Sequence, residues 1–256
     1  MGYLTFVSFA HVWRVYGGVG VSAPVLGEHR GPSRIVDLSG GGRPILWICG
    51  DNGGNGEVQL VSLPHLDVQR IPWQGRRTGA IAGAPDDSRA VVTELPDQAH
   101  GRVQLHVWDG RSWSRVATEP APDIASRLAW IDMRHIVYET SHRRLALLDI
   151  VDETTEVGPA GQKPVAAVDV NEWYAICDGR VLRFSSGPKF SWNGDRLRGF
   201  SLRPVADFRV SRDGRACTWA PPRFPLHSKA YVQERGRRRR RLRVKAVQSV
   251  AVLGPY

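Results

Sequence analysis

The stretch "GAIAGAPDDSRAVVTEL", Gly79 to Leu95, sets two short apolar runs on either side of a proline, two aspartates and a serine. Small and β-branched residues flanking such a polar corner form a β-hairpin: Pro-Asp-Asp-Ser supplies the turn, and "AVV" fits a pleated, buried strand. The phrase recurs as "RIVDLSGGGRPILWICG" before it and as "SRLAWIDMRHIVYET", "VAAVDVNEWYAICDG" and "VADFRVSRDGRACTWA" after it. The corners at Gly41, Asp86, Asp132, Val170 and Asp213 stand 45, 46, 38 and 43 residues apart.

Each phrase is followed by a second pair of alternating runs: "EVQLVSLPHLDVQRIPW", "RVQLHVWDGRSWSRVAT", "RLALLDIVDETTEVG", "RVLRFSSGPKFSW" and "KAYVQERGRRRRRLRV". Apolar and polar residues alternate with period two and turn residues sit between the runs, so each repeat is four strands, a to d. The 17 prolines and 27 glycines leave no capped amphipathic run long enough for a helix. Four-stranded units at this period mark a β-propeller. Five units are complete. The end of the chain, "VKAVQSVAVLGPY", reads as a strand a, and its start, "YLTFVSFAHVWRVYGGVGVSAPVLG", as strands b, c and d. The expected architecture is therefore a single all-β domain over residues 1–256, a six-bladed propeller closed by residues 1–27 pairing with 244–256. A five-bladed ring with an extra strand is the alternative.

Two of the corners, "APDDSRAVV" and "SRDGRACTW", resemble the "SPDG" turn of TolB-type propeller repeats. The segments "YVQERGRRRRRL" and "HVWRVYGGVGVSAPVL" are similar to the strand, glycine turn and final leucine that end such a repeat. The single Trp108-Asp109 dipeptide adds a WD-repeat-like element. Met133–His135 and Val170–Glu172 depart from the pattern, with no glycine at the corner. Secreted members of that family carry signal peptides, whereas "MGYLTFVSFAHVWRV" has no basic leading region and is broken by His11 and Arg14. With no run of 18 apolar residues, no membrane span is expected either. Cys49, Cys177 and Cys217 are odd in number and lack C-x-x-C spacing, which fits a reducing compartment. A cytoplasmic monomer is the expectation.

The formal charge is +10, yet Arg235 to Arg243 alone holds seven arginines and no acid, so the rest of the chain is nearly balanced. Of 35 basic residues only Lys163, Lys189, Lys229 and Lys245 are lysine, a bias that GC-rich coding also produces. The run reads as the outer strand d of the fifth unit. "AYVQE" is strand c, Arg235-Gly236 the turn, and "RRRRRLRV" a charged sheet edge away from the loop face, which resists edge-to-edge pairing. A polyanion such as nucleic acid, contacted by Arg237, Arg238, Arg239, Arg240 and Arg241, is the other use of such a strand.

No catalytic constellation stands out. "DNGGNGE", Asp51 to Glu57, lacks the oxygen donors and closing glutamate of a calcium loop, "YGGVGVS" lacks the Lys-Ser/Thr of a phosphate loop, and no G-x-S-x-G elbow or H-E-x-x-H is present. No cofactor or metal is expected. In a propeller the b–c and d–a connections share one face and converge on the channel, where recognition residues gather. Those segments offer Arg76, Arg77, Asp97, His100, His142, Arg198, Arg223 and His227. The expected function is a non-catalytic module binding a protein or small anionic ligand on that face. The alternatives are a propeller lyase or hydrolase using Asp97, His100 and His142, and nucleic-acid binding through the arginine strand.

Overall fold

The computed structural model describes residues 4–9, 12–17, 27–30, 35–39, 45–52, 55–62, 67–97, 101–124, 126–186, 190–200, 202, 205, 207–220, 230–242 and 249–253. The chain is all β. Its strands are β1 (Leu4–Phe9), β2 (Val12–Gly17), β3 (Gly27–Arg30), β4 (Ile35–Ser39), β5 (Ile45–Asn52), β6 (Asn55–Ser62), β7 (Asp67–Ile71), β8 (Thr78–Gly83), β9 (Ala90–Glu94), β10 (Gln104–Trp108), β11 (Trp113–Val116) and β12 (Leu128–Trp130). They continue with β13 (His135–Glu139), β14 (Arg144–Asp149), β15 (Thr154–Ala160), β16 (Gln162–Ala167), β17 (Glu172–Cys177), β18 (Arg180–Ser185), β19 (Asp195–Arg196), β20 (Asp207–Val210), β21 (Ala216–Ala220), β22 (Ala230–Glu234), β23 (Arg240–Leu242) and β24 (Ser249–Leu253).

These strands form a propeller of four-stranded antiparallel blades. Five sheets follow chain order, β4–β7, β8–β11, β12–β15, β16–β19 and β20–β23; another has the order β24-β1-β2-β3. In the second-named of these sheets β9 sits between β8 and β10, pairing Ile81 with Val92 on one side and His106 with Val92 on the other.

The apolar interior is a series of layers between adjacent blades. One strand feeds two layers because successive side chains point to opposite faces of a sheet. Val91 packs with Tyr138 and Leu148 of the next blade, while Ala90 and Val92 pack with Trp47 and Val58 of the preceding one. Tyr174 and Ile176 face Phe208 and Trp219; Trp173 and Ala175 face Val137 and Leu145. Inner strands are thus buried on both sides, which is why "AVV" and "YAIC" are continuous apolar runs. Trp47, Trp130, Trp173 and Trp219 are among the largest fully buried side chains and fill these layers. A ring of this size buries 150–250 Å² when packed, so each anchors two blades at once.

The corners are held by aspartates. Asp132 Oδ1 accepts from the amides of Arg134 and His135, both at 2.7 Å, and Asp132 Oδ2 meets His135 Nδ1 at 2.8 Å. Asp213 Oδ1 accepts from the Arg215 amide at 3.1 Å, and Gly214 there has φ +68°. The corner at Val168–Val170 is a 3-10 turn with no glycine; Asn171 takes the left-handed conformation instead, at φ +50°. Asparagine tolerates that region because its side chain can satisfy local backbone groups.

Three outer strands differ from expectation. In the sheet containing β24, the outer strand is Gly27–Arg30, beyond the segment ending at Gly27. The outer strand after "RVLRF" is the two-residue β19, not "KFSW", because Phe190 and Trp192 pack on Trp173 instead of pairing. Among the described residues of "RRRRRLRV", Arg240–Leu242 pair with β22.

Candidate functional site

In a four-stranded antiparallel blade the b–c and d–a connections leave from the same end. At the junction of the β4–β7 and β8–β11 blades they are bound into one surface. The d–a connection runs from Pro72 to Arg77, and the b–c connection starts after Glu94. Arg76 Nη1 meets Asp97 Oδ2 at 2.8 Å, with both side chains more than half exposed. The Arg76 amide donates to Glu94 Oε1 at 2.8 Å, and the Leu95 amide donates to the Arg77 carbonyl at 2.7 Å.

Glu94 uses its other oxygen on the neighbouring strand: His106 Nε2 lies 2.8 Å from Glu94 Oε2, both side chains being about 15% exposed. Trp73 covers this pair. Its Nε1 donates to the Arg76 carbonyl at 2.8 Å, and its ring stands edge-on to His106 at 5.2 Å and to Trp113 at 5.1 Å. Trp113 Nε1 donates in turn to the Pro72 carbonyl at 2.7 Å. The result is a cavity of about 520 Å³ lined by Trp73, Glu94, His106, Trp108 and Trp113. Its chemistry is that of recognition, with aromatic walls, a carboxylate–imidazole pair fixed at one ring nitrogen, and an exposed ion pair beside them. The lining serine, Ser112, has its amide on Asp109 Oδ1 at 2.7 Å.

Of the residues singled out from sequence, the structure joins Arg76 to Asp97 and places Arg77 beside them, exposed. His142 is exposed in the β13–β14 turn and Arg198 is exposed after β19. Among the described residues no hydrogen bond or ion pair links either to Arg76 or Asp97. His100, Arg223 and His227 lie outside the described residues. Trp73, Glu94 and His106 were missed as a group. The signal available was the β9–β10 register, Gln104 opposite Glu94, which sets His106 diagonal to Glu94 within side-chain reach.

A second carboxylate occupies the matching end of β13. Glu139 is buried, its Oε2 accepts from the Lys163 amide at 3.4 Å, and burial pushes its pKa above the usual carboxylate value. Among the described residues no group of three or more His, Cys, Asp and Glu side chains is placed to hold a metal ion.

The arginine hairpin is not clear of the d–a connections. The Gly236 amide donates to the Gly199 carbonyl at 3.0 Å, and the Arg235 guanidinium lies over Phe200 at 5.7 Å. Arg239 lies over Tyr231 at 5.3 Å, and Arg237 Nε pairs with Glu234 at 2.9 Å. Arg237, Arg238, Arg239 and Arg241 are exposed; Arg240 opens β23. The hairpin therefore rests on the connection that carries Arg198.

No protein-family model matches the chain, and no curated protein matches it. Among solved structures it is similar to TolB from Acinetobacter baumannii, with a TM-score of 0.70 and 12% identity over 98% of this chain and 66% of the TolB chain. The fold is that of a TolB-like β-propeller; the chain spans about two thirds of the TolB length.

Proposed function

We propose, from a fold shared with TolB, that the protein is a non-catalytic interaction module whose b–c/d–a face binds a protein or small anionic ligand at the junction of the β4–β7 and β8–β11 blades. The observation that carries this reading is the joining of Arg76 to Asp97 across two connections and to Glu94 at the end of β9, with Arg77 alongside, beside an aromatic cavity. Pre-organised charged groups beside apolar walls suit binding, because the ordering cost is met before the partner arrives. A cytoplasmic location is part of this proposal.

The sheet β24-β1-β2-β3 is read as a sixth blade that closes the ring. Three relations support this. β24 pairs antiparallel with β1 from Leu4↔Leu253 to Ser8↔Ser249, it lies beside β20 and β21, and it also lies beside β4. Such closure leaves no inner strand at an open end.

Affinity capture with the wild-type chain, Arg77→Glu and Asp97→Lys tests the module. A partner that copurifies with the wild type and is lost from both variants supports the face; equal recovery by all three removes it.

A further inference from the structure

We propose a second binding site, where the connection after β19 meets the β22–β23 hairpin of the next blade, that takes single-stranded nucleic acid. Two adjoining cavities of about 330 and 440 Å³ share Arg196 and Leu197. The first is lined by Arg180, Arg196 and Arg239 together with Phe200 and Leu202; the second adds Arg183, Arg198 and Arg235. Among the described residues Asp195 is the one acid in either lining, and it is engaged by Arg183, which also reaches Glu172 at 3.2 Å. Among the described residues, Arg180, Arg196, Arg198, Arg235 and Arg239 have no acidic partner.

Five like charges around one trough repel one another, and an anion placed among them removes that cost. Two of them are already oriented: Arg235 is stacked over Phe200 and Arg239 over Tyr231, leaving guanidinium edges to bond phosphate oxygens. Leu197, Phe200 and Leu202 contribute apolar side chains to the lining, and a base of a single strand can lie against the half-buried Phe200 while phosphates run along the arginines. A duplex hides its bases and is too broad for cavities of this size. A poly-glutamate peptide matches the charge but gives the Phe200 ring no stacking counterpart. The excess charge of the sequence is thus concentrated where the arginine hairpin meets the arginines around β18 and β19. This site does not depend on the loop-face reading.

The test is fluorescence anisotropy of the full chain with a labelled 15-nucleotide dT strand, the same length of duplex, and a poly-glutamate peptide. With about five phosphates neutralised, single-strand affinity falls about 100-fold between 50 and 200 mM salt. Arg196→Gln and Arg198→Gln, both at exposed positions, each weaken binding several-fold and flatten the salt slope, whereas Arg115→Gln on β11 does neither. Absence of single-strand binding, equal or tighter binding of duplex or poly-glutamate, or an equal loss in Arg115→Gln overturns the proposal. Thermal melting of each variant confirms that it is folded before binding is read.

Discussion

Arg212 Nη1 donates to the Pro85 carbonyl at 3.1 Å, although the two residues are 127 positions apart. Pro85 lies in the β8–β9 corner and Arg212 in the β20–β21 corner; the same guanidinium also pairs with Asp169 in the β16–β17 corner. One side chain therefore ties three a–b corners together on the face opposite the connections that carry Arg76 and Asp97. Arg212→Ala should destabilise the protein by about 1.5–3 kcal/mol, the usual worth of a charge-assisted hydrogen bond. Denaturant unfolding reads this directly; an unchanged midpoint would mean that the corners hold without it.

Trp73 is seated by two glycines. A Cβ on Gly56 would lie 2.2 Å from the Arg76 carbonyl oxygen and 2.5 Å from Trp73 Nε1, and one on Gly75 would lie 2.3 Å from the Trp73 ring. Gly56→Ala forces backbone to move and should cost about 2 kcal/mol. It should also displace Trp73 from His106. Tryptophan fluorescence and urea titration of the variant check both effects, and a native spectrum would show that the seat is not tight.

Glu139 carries a raised pKa because burial penalises its charged form. A carboxyl whose folded pKa lies above its unfolded value stabilises the fold below the unfolded pKa, and that contribution is lost as pH rises through the folded pKa. Glu139→Gln should therefore melt higher than the wild type at neutral pH, with the gap closing as pH falls through the carboxylate range. Melting curves across that range provide the comparison; a gap that widens on acidification would reverse the sign.

Burial pushes the Cys177 thiol up to about 11 and holds Cys217 higher than an ordinary thiol. At pH 8 roughly one Cys177 in a thousand is thiolate, the reactive form. A thiol reagent should find no fast-reacting group among Cys49, Cys177 and Cys217 in the native protein and all three after denaturation. Rapid native labelling would show that these blades open locally.

The repeat was legible in sequence because one polar corner between two apolar runs recurs at a near-constant spacing, and period-two alternation distinguishes strands from helices. Asp132 and Asp213 stood at two of the corners read from that spacing. Contacts between blades were not legible. Trp73 and His106 are 33 residues apart and meet only when two sheets pack face to face. Gly199 receives the arginine hairpin for the same reason, so "RGRRRRR" read as an edge clear of the connections although Gly236 and Arg235 rest on one. Strand lengths at the rim also escaped, since Phe190 and Trp192 gain more from packing on Trp173 than from extending the sheet.

Ring closure through both ends of the chain is open to a simple cut. A chain ending at residue 248 loses β24, the strand beside β1, β4 and β20. A closed six-bladed ring should then lose its single cooperative melt, because β1–β3 has no inner strand to hold it. A five-bladed ring would melt as before.

The loop-face function is tested most directly by exchanging the charges of one ion pair. Arg76→Asp and Asp97→Arg singly break the 2.8 Å contact, and the double variant restores it with the polarity reversed. If this face recognises a partner by its charges, capture of that partner is lost in all three variants while the melting temperature of the double variant returns to that of the wild type. Partner capture by the double variant at the wild-type level would show that Arg76 and Asp97 merely brace two connections and would contradict the proposed function.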